Sequence, residues 1–284
     1  VRDKKSDGVV PGTLYVVATP IGNLEDMTAR AVRVLSSVDH IACEDTRVTG
    51  RLCAHFGVSR PLLRHEAHNE AASTQGIVAL LERGESVALV SDAGTPGVSD
   101  PGARLCDAVI AAGRPVVPIP GPSALLAALS ASGLPTETFA FHGFLAKKPT
   151  ERAAAFASLG AGTHAFFCPA RDLGRVVGEL AGLLPTARLV IARELTKLHE
   201  QWYRGLPGAV LPTLDGDSAR GEAVVLLHLA AAERVTTDAA VLDALRDAMA
   251  TGARTKDAVA SVAELLGVPK RRAYALALTL TPAD

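Results

Sequence analysis

The sequence predicts an α/β protein made of two α/β domains with a cleft between them, followed by a small C-terminal helical domain. Three observations carry this. From Thr13 onward, short β-branched runs alternate with longer helical patterns. Glycine- and proline-rich loops follow several of the runs, where open α/β sheets hold small ligands. Residues 236–284 carry alanine-rich helical patterns and no strand pattern.

Residues 1–12 read as a flexible, charged tail. In a first domain over 13–133, strands are expected at Leu14–Ala18, His40–Cys43, Val87–Ser91 and Val116–Ile119, with helices near 27–36, 46–56, 70–83 and 103–112. Pro120-Gly121-Pro122-Ser123 then leads into a small-residue helix, Ala124–Ala131, and Gly133-Leu134-Pro135-Thr136 breaks the pattern. The second domain, 134–230, is expected to hold strands at Thr138–Phe141, Thr163–Cys168, Arg188–Ala192, Leu198–Tyr203 and Ala223–Leu229. In the last region, Thr255–Leu266, Gly267-Val268-Pro269 and Lys270–Leu278 read as helix, turn, helix.

Composition narrows the function classes. Apolar residues make up 48% of the 284, enough for a sizeable core, while 4% aromatics argues against an extended base-stacking platform. A formal charge of −1 gives no global nucleic-acid signal, so RNA contact has to rest on local patches. Cys43, Cys53, Cys106 and Cys168 form no C-x-x-C pair, which supports neither a zinc site nor a disulfide framework. With no apolar signal segment or membrane-length apolar run, the expected location is the cytoplasm.

The stretch Ser91-Asp92-Ala93-Gly94-Thr95-Pro96-Gly97-Val98-Ser99-Asp100-Pro101-Gly102 is the most informative loop. Its glycines and prolines prescribe a backbone shape, and Asp92 offers a carboxylate at a strand end. Read plainly, it is a strand–helix connection with Asp100 as N-cap and Pro101 opening the helix. The first junction, Thr19-Pro20-Ile21-Gly22-Asn23-Leu24, has one glycine and is no dinucleotide loop; Asp26 or Thr28 can cap the helix after it. Glu44-Asp45-Thr46-Arg47 sets two acids and a base at a strand end, with Asp45 able to serve as a cap. His65-Glu66-Ala67-His68-Asn69-Glu70 lacks a zincin arrangement, so no metal is expected; it reads as a helix entry capped by Asn69 or as a substrate contact.

These junctions occur in register with Pro120-Gly121-Pro122, Ala192-Arg193-Glu194-Leu195-Thr196-Lys197 and Arg220-Gly221-Glu222. Together they resemble the ribosomal RNA methyltransferases of the tetrapyrrole methylase superfamily, strongly over 13–230 and more weakly in the tail. The resemblance implies an S-adenosylmethionine-dependent enzyme, usually a homodimer, that methylates the ribose 2′-hydroxyl of a cytidine in the decoding region of 16S ribosomal RNA. It implies cofactor contacts at Pro20, Asp92, Gly94, Thr95, Ser123 and Ala124, with the second domain closing over them near Phe167 and Arg193. Where that family shows an E-S-x-H-R-like run, this chain has Phe167-Cys168-Pro169-Ala170-Arg171, so neither an acid nor a histidine at that strand end is essential here.

A 2′-hydroxyl is a poor nucleophile and calls for a proton acceptor. Asp45 is the first choice, with Glu44 and His68 as alternatives. Arg47 and Asn69 are expected to meet the RNA, as are Lys147, Lys148 and Arg171 in the second domain and Lys270, Arg271 and Arg272 in the tail. Residues 236–284 hold six basic and six acidic side chains, so a solvated helical cap is the plain alternative there. Two other functions stay open: methylation of a porphyrin-like macrocycle, and a non-catalytic ribosome-assembly factor. The single-glycine first loop and the helical tail speak against the former, whereas the altered 167–171 segment keeps the latter in play.

Overall fold

The computed structural model describes residues 8–66, 68–214, 221–231 and 237–280. Part of the expected N-terminal tail and Arg220 of one motif therefore lie outside the described residues. The chain divides into two compact units, one ending at Ala230 and the other beginning at Ala231. Both sheets lie in the first unit.

The first sheet holds β1 (Leu14–Val17), β2 (His40–Cys43), β3 (Leu62–Arg64), β4 (Val87–Leu89) and β5 (Val116–Ile119), in the order β3-β2-β4-β1-β5 and all parallel. The crossovers are α1 (Ala29–Ser37), α2 (Thr46–His55), α3 (Glu70–Glu82) and α4 (Ala103–Ala111). Buried on both faces, the central strands are continuous apolar runs, as parallel sheets require. Thr28 caps α1 by accepting from the Ala31 backbone N–H, and Asp45 caps α2 through the N–H of Arg47. At the outer edge, Leu14 N donates to Pro115 O and Ala18 N to Ile119 O. The odd-numbered residues of β5 thus face β1, and Pro118 stands on the outward side with no N–H to offer.

After β5, α5 (Ala124–Ser132) is apolar almost all round, with Leu126 standing exposed on its outer side. Its Leu125, Ala128 and Leu129 join Ala165, Val190, Ala192, Val224 and Leu226 of the second sheet in one cluster. That sheet contains β6 (Phe139–Phe144), β7 (Gly162–Pro169), β8 (Arg188–Arg193), β9 (Gln201–Gly205) and β10 (Glu222–Leu229), ordered β6-β7-β10-β8-β9. Only the β6–β7 pair is parallel; β10 runs antiparallel to both neighbours and β9 antiparallel to β8. On the face away from α5, Phe156 of α6 (Pro149–Ala157) and Val176, Val177 and Leu180 of α7 (Leu173–Leu183) complete the core, beside short α8 (Pro207–Val210).

The buried Arg152 of α6 forks onto Glu179 of α7, donating from Nε at 2.9 Å and Nη2 at 2.6 Å. Its Nη1 also donates to the carbonyls of Ala146 and Lys147, tying the β6–α6 loop to the helix layer. The second unit is α9 (Asp238–Ala250), α10 (Thr255–Leu266) and α11 (Lys270–Leu278) around Val241, Leu245, Val262, Ala273 and Ala277. Gly267 ends α10 in the left-handed conformation, the usual helix stop.

Candidate active site

Loops from both sheets meet over one cleft, and the first-sheet loops are held to each other by hydrogen bonds. Thr19 and Gly94 exchange backbone bonds at 2.9 and 3.0 Å, and the Thr19 hydroxyl donates to Ser91 O. The Thr95 hydroxyl donates to Pro122 O at 3.1 Å, joining the β4 loop to the β5 loop. Asp92 Oδ1 accepts from the Asp45 N–H at 3.2 Å, joining it to the β2 loop. All these loops leave carboxyl ends of parallel strands, where such sheets place ligands.

The cleft is about 220 Å³ in volume. Its first-sheet wall is Ile21, Asp92–Thr95, Val98–Asp100, Ser123 and Ala124. The opposite wall comes from the matching ends of β7, β8 and β10, with Phe144, Phe167, Cys168, Ala192, Glu194, Leu195, Lys197 and Glu222. Phe167 packs edge-on against Phe141 and Phe144, so the departure at 167–171 creates an aromatic wall. Lys197 bridges the walls: it pairs with Glu194 at 2.8 Å and lies over Gly22, where an added Cβ would sit 2.4 Å from its Cγ. Glu194 Oε1 also accepts from the Glu222 N–H at 3.1 Å. Gly221, at φ 87, leaves that carboxylate room, since a Cβ there would fall 2.0 Å from it. Ser99, Glu194 and Thr196, the non-glycine residues with positive φ among those described, all belong to the segments bordering the cleft.

Electrostatically the lining is acidic: Asp92, Asp100, Glu194 and Glu222 face a single lysine, Lys197. Desolvation, reinforced by Glu44, Asp92 and Glu222, pushes the Asp100 carboxyl up to about 6. Glu44 is raised too, first by burial and then by Asp92. Burial alone would raise Glu194, but the bonds from Lys197 and the Glu222 N–H bring it below its ordinary value. Burial pushes the Cys168 thiol up to about 12, which leaves it unreactive.

Of the residues expected to touch a cofactor, Asp92, Gly94, Thr95, Ser123, Ala124 and Phe167 line this cleft. Gly94 and Thr95 spend polar groups on the loop bonds, and Ser123 accepts from Leu126 N as the cap of α5. Pro20 and Arg193 do not line it. Pro20 lines a neighbouring cleft that shares Asp92. Strand alternation turns Ala192 and Glu194 toward the cleft and sends Arg193 to the other face, where its buried guanidinium donates to Gln201 Oε1 at 2.6 Å.

The expected proton acceptors fare differently. Asp45 caps α2 and grips the Arg47 guanidinium with both oxygens, bonds that hold its carboxyl well below the usual range and make it a weak base. His68 is exposed and does not line the cleft. The neighbouring His65 is buried, with Nδ1 on the Ser73 hydroxyl at 2.7 Å, and burial lowers its affinity for a proton. Asn69 makes no cap bond; it accepts from Glu66 N and donates to Arg64 O, closing its own turn. The expected cap at Asp100 is also corrected. Helix α4 starts two residues later, behind Gly102, and Asp100 is left to line the cleft. Sequence reasoning missed Glu194, Lys197 and Glu222 as cleft residues, although all three lie in motifs it singled out.

The expected RNA contacts lie apart from the cleft lining. Lys147, Lys148 and Arg171 are exposed, and Lys148 pairs with Glu151 at 2.9 Å. In the helical unit Lys270 and Arg271 are exposed, whereas Arg272 turns back to Asp238 at the start of α9. No helix among the described residues is long and apolar enough to cross a membrane.

Two sheets whose loops enclose one acidic cleft define a class. Residues 13–210 match the family described as Tetrapyrrole (Corrin/Porphyrin) Methylases, and residues 235–281 match the RsmI C-terminal HTH domain. Uroporphyrin-III-C-methyltransferase from Thermus thermophilus is similar in structure, with a TM-score of 0.54 and 25% identity over 76% of this chain and 94% of its own. A structure of Uroporphyrin-III C-methyl transferase from Thermus thermophilus complexed with S-adenyl homocysteine shares the fold at a TM-score of 0.52 and 20% identity, over 76% of this chain and 96% of its own. Among sequences, the ribosomal RNA small subunit methyltransferase I of a Synechocystis strain is 42% identical over 95% of this chain and 98% of its own length. The chain belongs to the tetrapyrrole methylase family, in its ribosomal RNA small subunit methyltransferase I group.

Proposed function

We propose that this chain is an S-adenosylmethionine-dependent methyltransferase of small-subunit ribosomal RNA, and that it methylates the ribose 2′-hydroxyl of a cytidine in the decoding region. The observation that carries the reading is the full-length likeness to the Synechocystis relative, helical unit included. The porphyrin methyltransferase, by contrast, spans only 76% of this chain although 94% of its own length is matched. The enzyme works in the cytoplasm, as a homodimer.

The cleft suits the cofactor chemically. Four carboxylates against one lysine favour a ligand bearing a sulfonium and an ammonium, and Ile21, Val98, Leu195 and Phe167 offer apolar surface for its base and thioether. When bound, the cofactor supplies an electrophilic methyl group whose leaving group is a neutral thioether. Asp92, Ser123 and Ala124 hold it from the first sheet, and Phe167, Leu195 and Glu222 from the second. Positioning by these walls supplies much of the rate.

The proton of the ribose hydroxyl passes to Asp100. This carboxyl lines the cleft, and its pKa is pushed up to about 6, toward the range a useful base needs, whereas Asp45 is committed to Arg47. Glu44 stands beside it and keeps its proton affinity high. Labelled methyl transfer to small ribosomal subunits from cells lacking the modification, with mapping of the nucleotide, tests the reading. Label on a cytidine ribose is expected. Label only on a tetrapyrrole, or binding without transfer, overturns it.

A further inference from the structure

The chemistry at the cleft does not use the outer face of α2. Arg47, Arg51 and His55 recur there every four residues, which stacks them in one ridge, and all three are exposed. Among the described residues, Arg47 is paired with Asp45, but no carboxylate pairs with Arg51 or His55. Each step along the ridge rises about 6 Å at 1.5 Å per residue, a spacing close to that of successive phosphates on an unstacked strand.

Beside the ridge lies the second cleft, about 290 Å³ in volume, with Arg51 and His55 among its lining residues. Pro20, Leu24, Val48 and Leu52 give it an apolar surface. Asp92 lines both this cleft and the acidic one, so the two adjoin across one carboxylate. An apolar slot edged by an arginine and an imidazole, next to a methyl-transfer cleft, matches a nucleotide: flat and apolar at the base, anionic at the phosphate.

We propose that this second cleft binds the nucleotide adjoining the methyl acceptor in single-stranded RNA. The base lies against Pro20, Leu24 and Leu52, and the flanking phosphates run along Arg47, Arg51 and His55. This inference rests on the RNA-methyltransferase reading above and adds the path of the strand to it. It also gives Pro20 a role on the RNA side.

The test uses the full chain with Arg51→Gln, His55→Gln and the double variant. The probes are a fluorescein-labelled single-stranded oligoribonucleotide of decoding-region sequence and unmodified small subunits. The double variant is expected to bind the oligonucleotide at least 10-fold more weakly, and its dependence on salt should be shallower by roughly 0.7 for each phosphate it no longer neutralises. KM for subunits should rise with kcat nearly unchanged, and affinity for S-adenosylhomocysteine should stay at the parent value, which certifies the fold. Arg51→Lys should restore the salt slope. Parent-like RNA affinity and KM in the double variant would overturn the inference while leaving the function intact, as would a KM rise for subunits with unchanged oligonucleotide binding, the mark of a protein partner on the ridge. A parent chain that neither binds nor methylates RNA would overturn the function and, with it, this inference.

Discussion

At Asp100 the surroundings work against charge: the carboxyl is half-buried, and Glu44, Asp92 and Glu222 stand around it. Methyl transfer should therefore rise through about pH 6 and level off above it. Asp100→Asn should remove that inflection and lower kcat by about 10²–10⁴-fold; a variant with parent-like kcat and pH profile would return the base to Glu44. The same shift has a stability consequence of opposite sense. A carboxyl raised from 3.8 to about 6 favours the folded state fully below the lower value, and this contribution is lost as pH climbs through the upper one. Urea unfolding at pH 7 should find Asp100→Asn more stable than the parent by about 1–2 kcal/mol. Gly221→Ala should do the reverse, because φ 87 and the Glu194 carboxylate both exclude a Cβ. A loss of about 1–3 kcal/mol is expected, with weaker S-adenosylhomocysteine binding in calorimetry.

At the scale of elements, the Arg152–Glu179 fork is a costly contact to halve. Arg152→Met strands Glu179 beneath α6 and releases the Ala146 and Lys147 carbonyls, so a loss of about 3–5 kcal/mol in urea unfolding is expected. Arg152→Met with Glu179→Leu should recover much of it; no recovery would mean that the carbonyl bonds dominate. Elements also show what sequence could and could not reveal. Strands β1, β2, β4 and β5 were legible as apolar runs between turn residues. Strand β3 was not, because an edge strand of two part-buried leucines and the exposed Arg64, between Pro61 and His65, leaves no run to read. Helix α4 was legible where it starts, but its cap was not: Asp100-Pro101 mimics a cap and first turn, whereas Gly102 in fact precedes the helix. Strand β9 starts at Gln201 rather than Leu198, since Thr196 at φ 66 and the Glu200 N–H to Lys197 O bond turn the chain first. At the end of β8 the motif was found, but the resemblance pointed to Arg193, whereas the structure turns Ala192 and Glu194 toward the cleft. The side of a strand that meets a cleft depends on pairing with β10, which no local pattern encodes.

For the whole molecule, the second region was legible as strands and helices, yet its sheet is mostly antiparallel, because β10 returns from far along the chain to insert between β7 and β8. The helical unit has its own core, so a chain ending at Ala230 should keep S-adenosylhomocysteine affinity. Its affinity for unmodified subunits should fall, and Lys270→Gln with Arg271→Gln in the full chain should reproduce part of that fall. Subunit affinity unchanged in both would remove the helical unit from RNA binding.

The outer edge of β5 bears on how copies of this enzyme can assemble. A strand from another chain adding there would find proline at the position where it needs a donor, so a sheet cannot continue past Pro118 from one subunit into the next. Any two-fold pairing has to bury side chains from helices, loops or another sheet edge. Pro118→Val, which restores the missing N–H, would make this edge newly adhesive, and size-exclusion chromatography would register it as concentration-dependent association beyond the parent's own assembly.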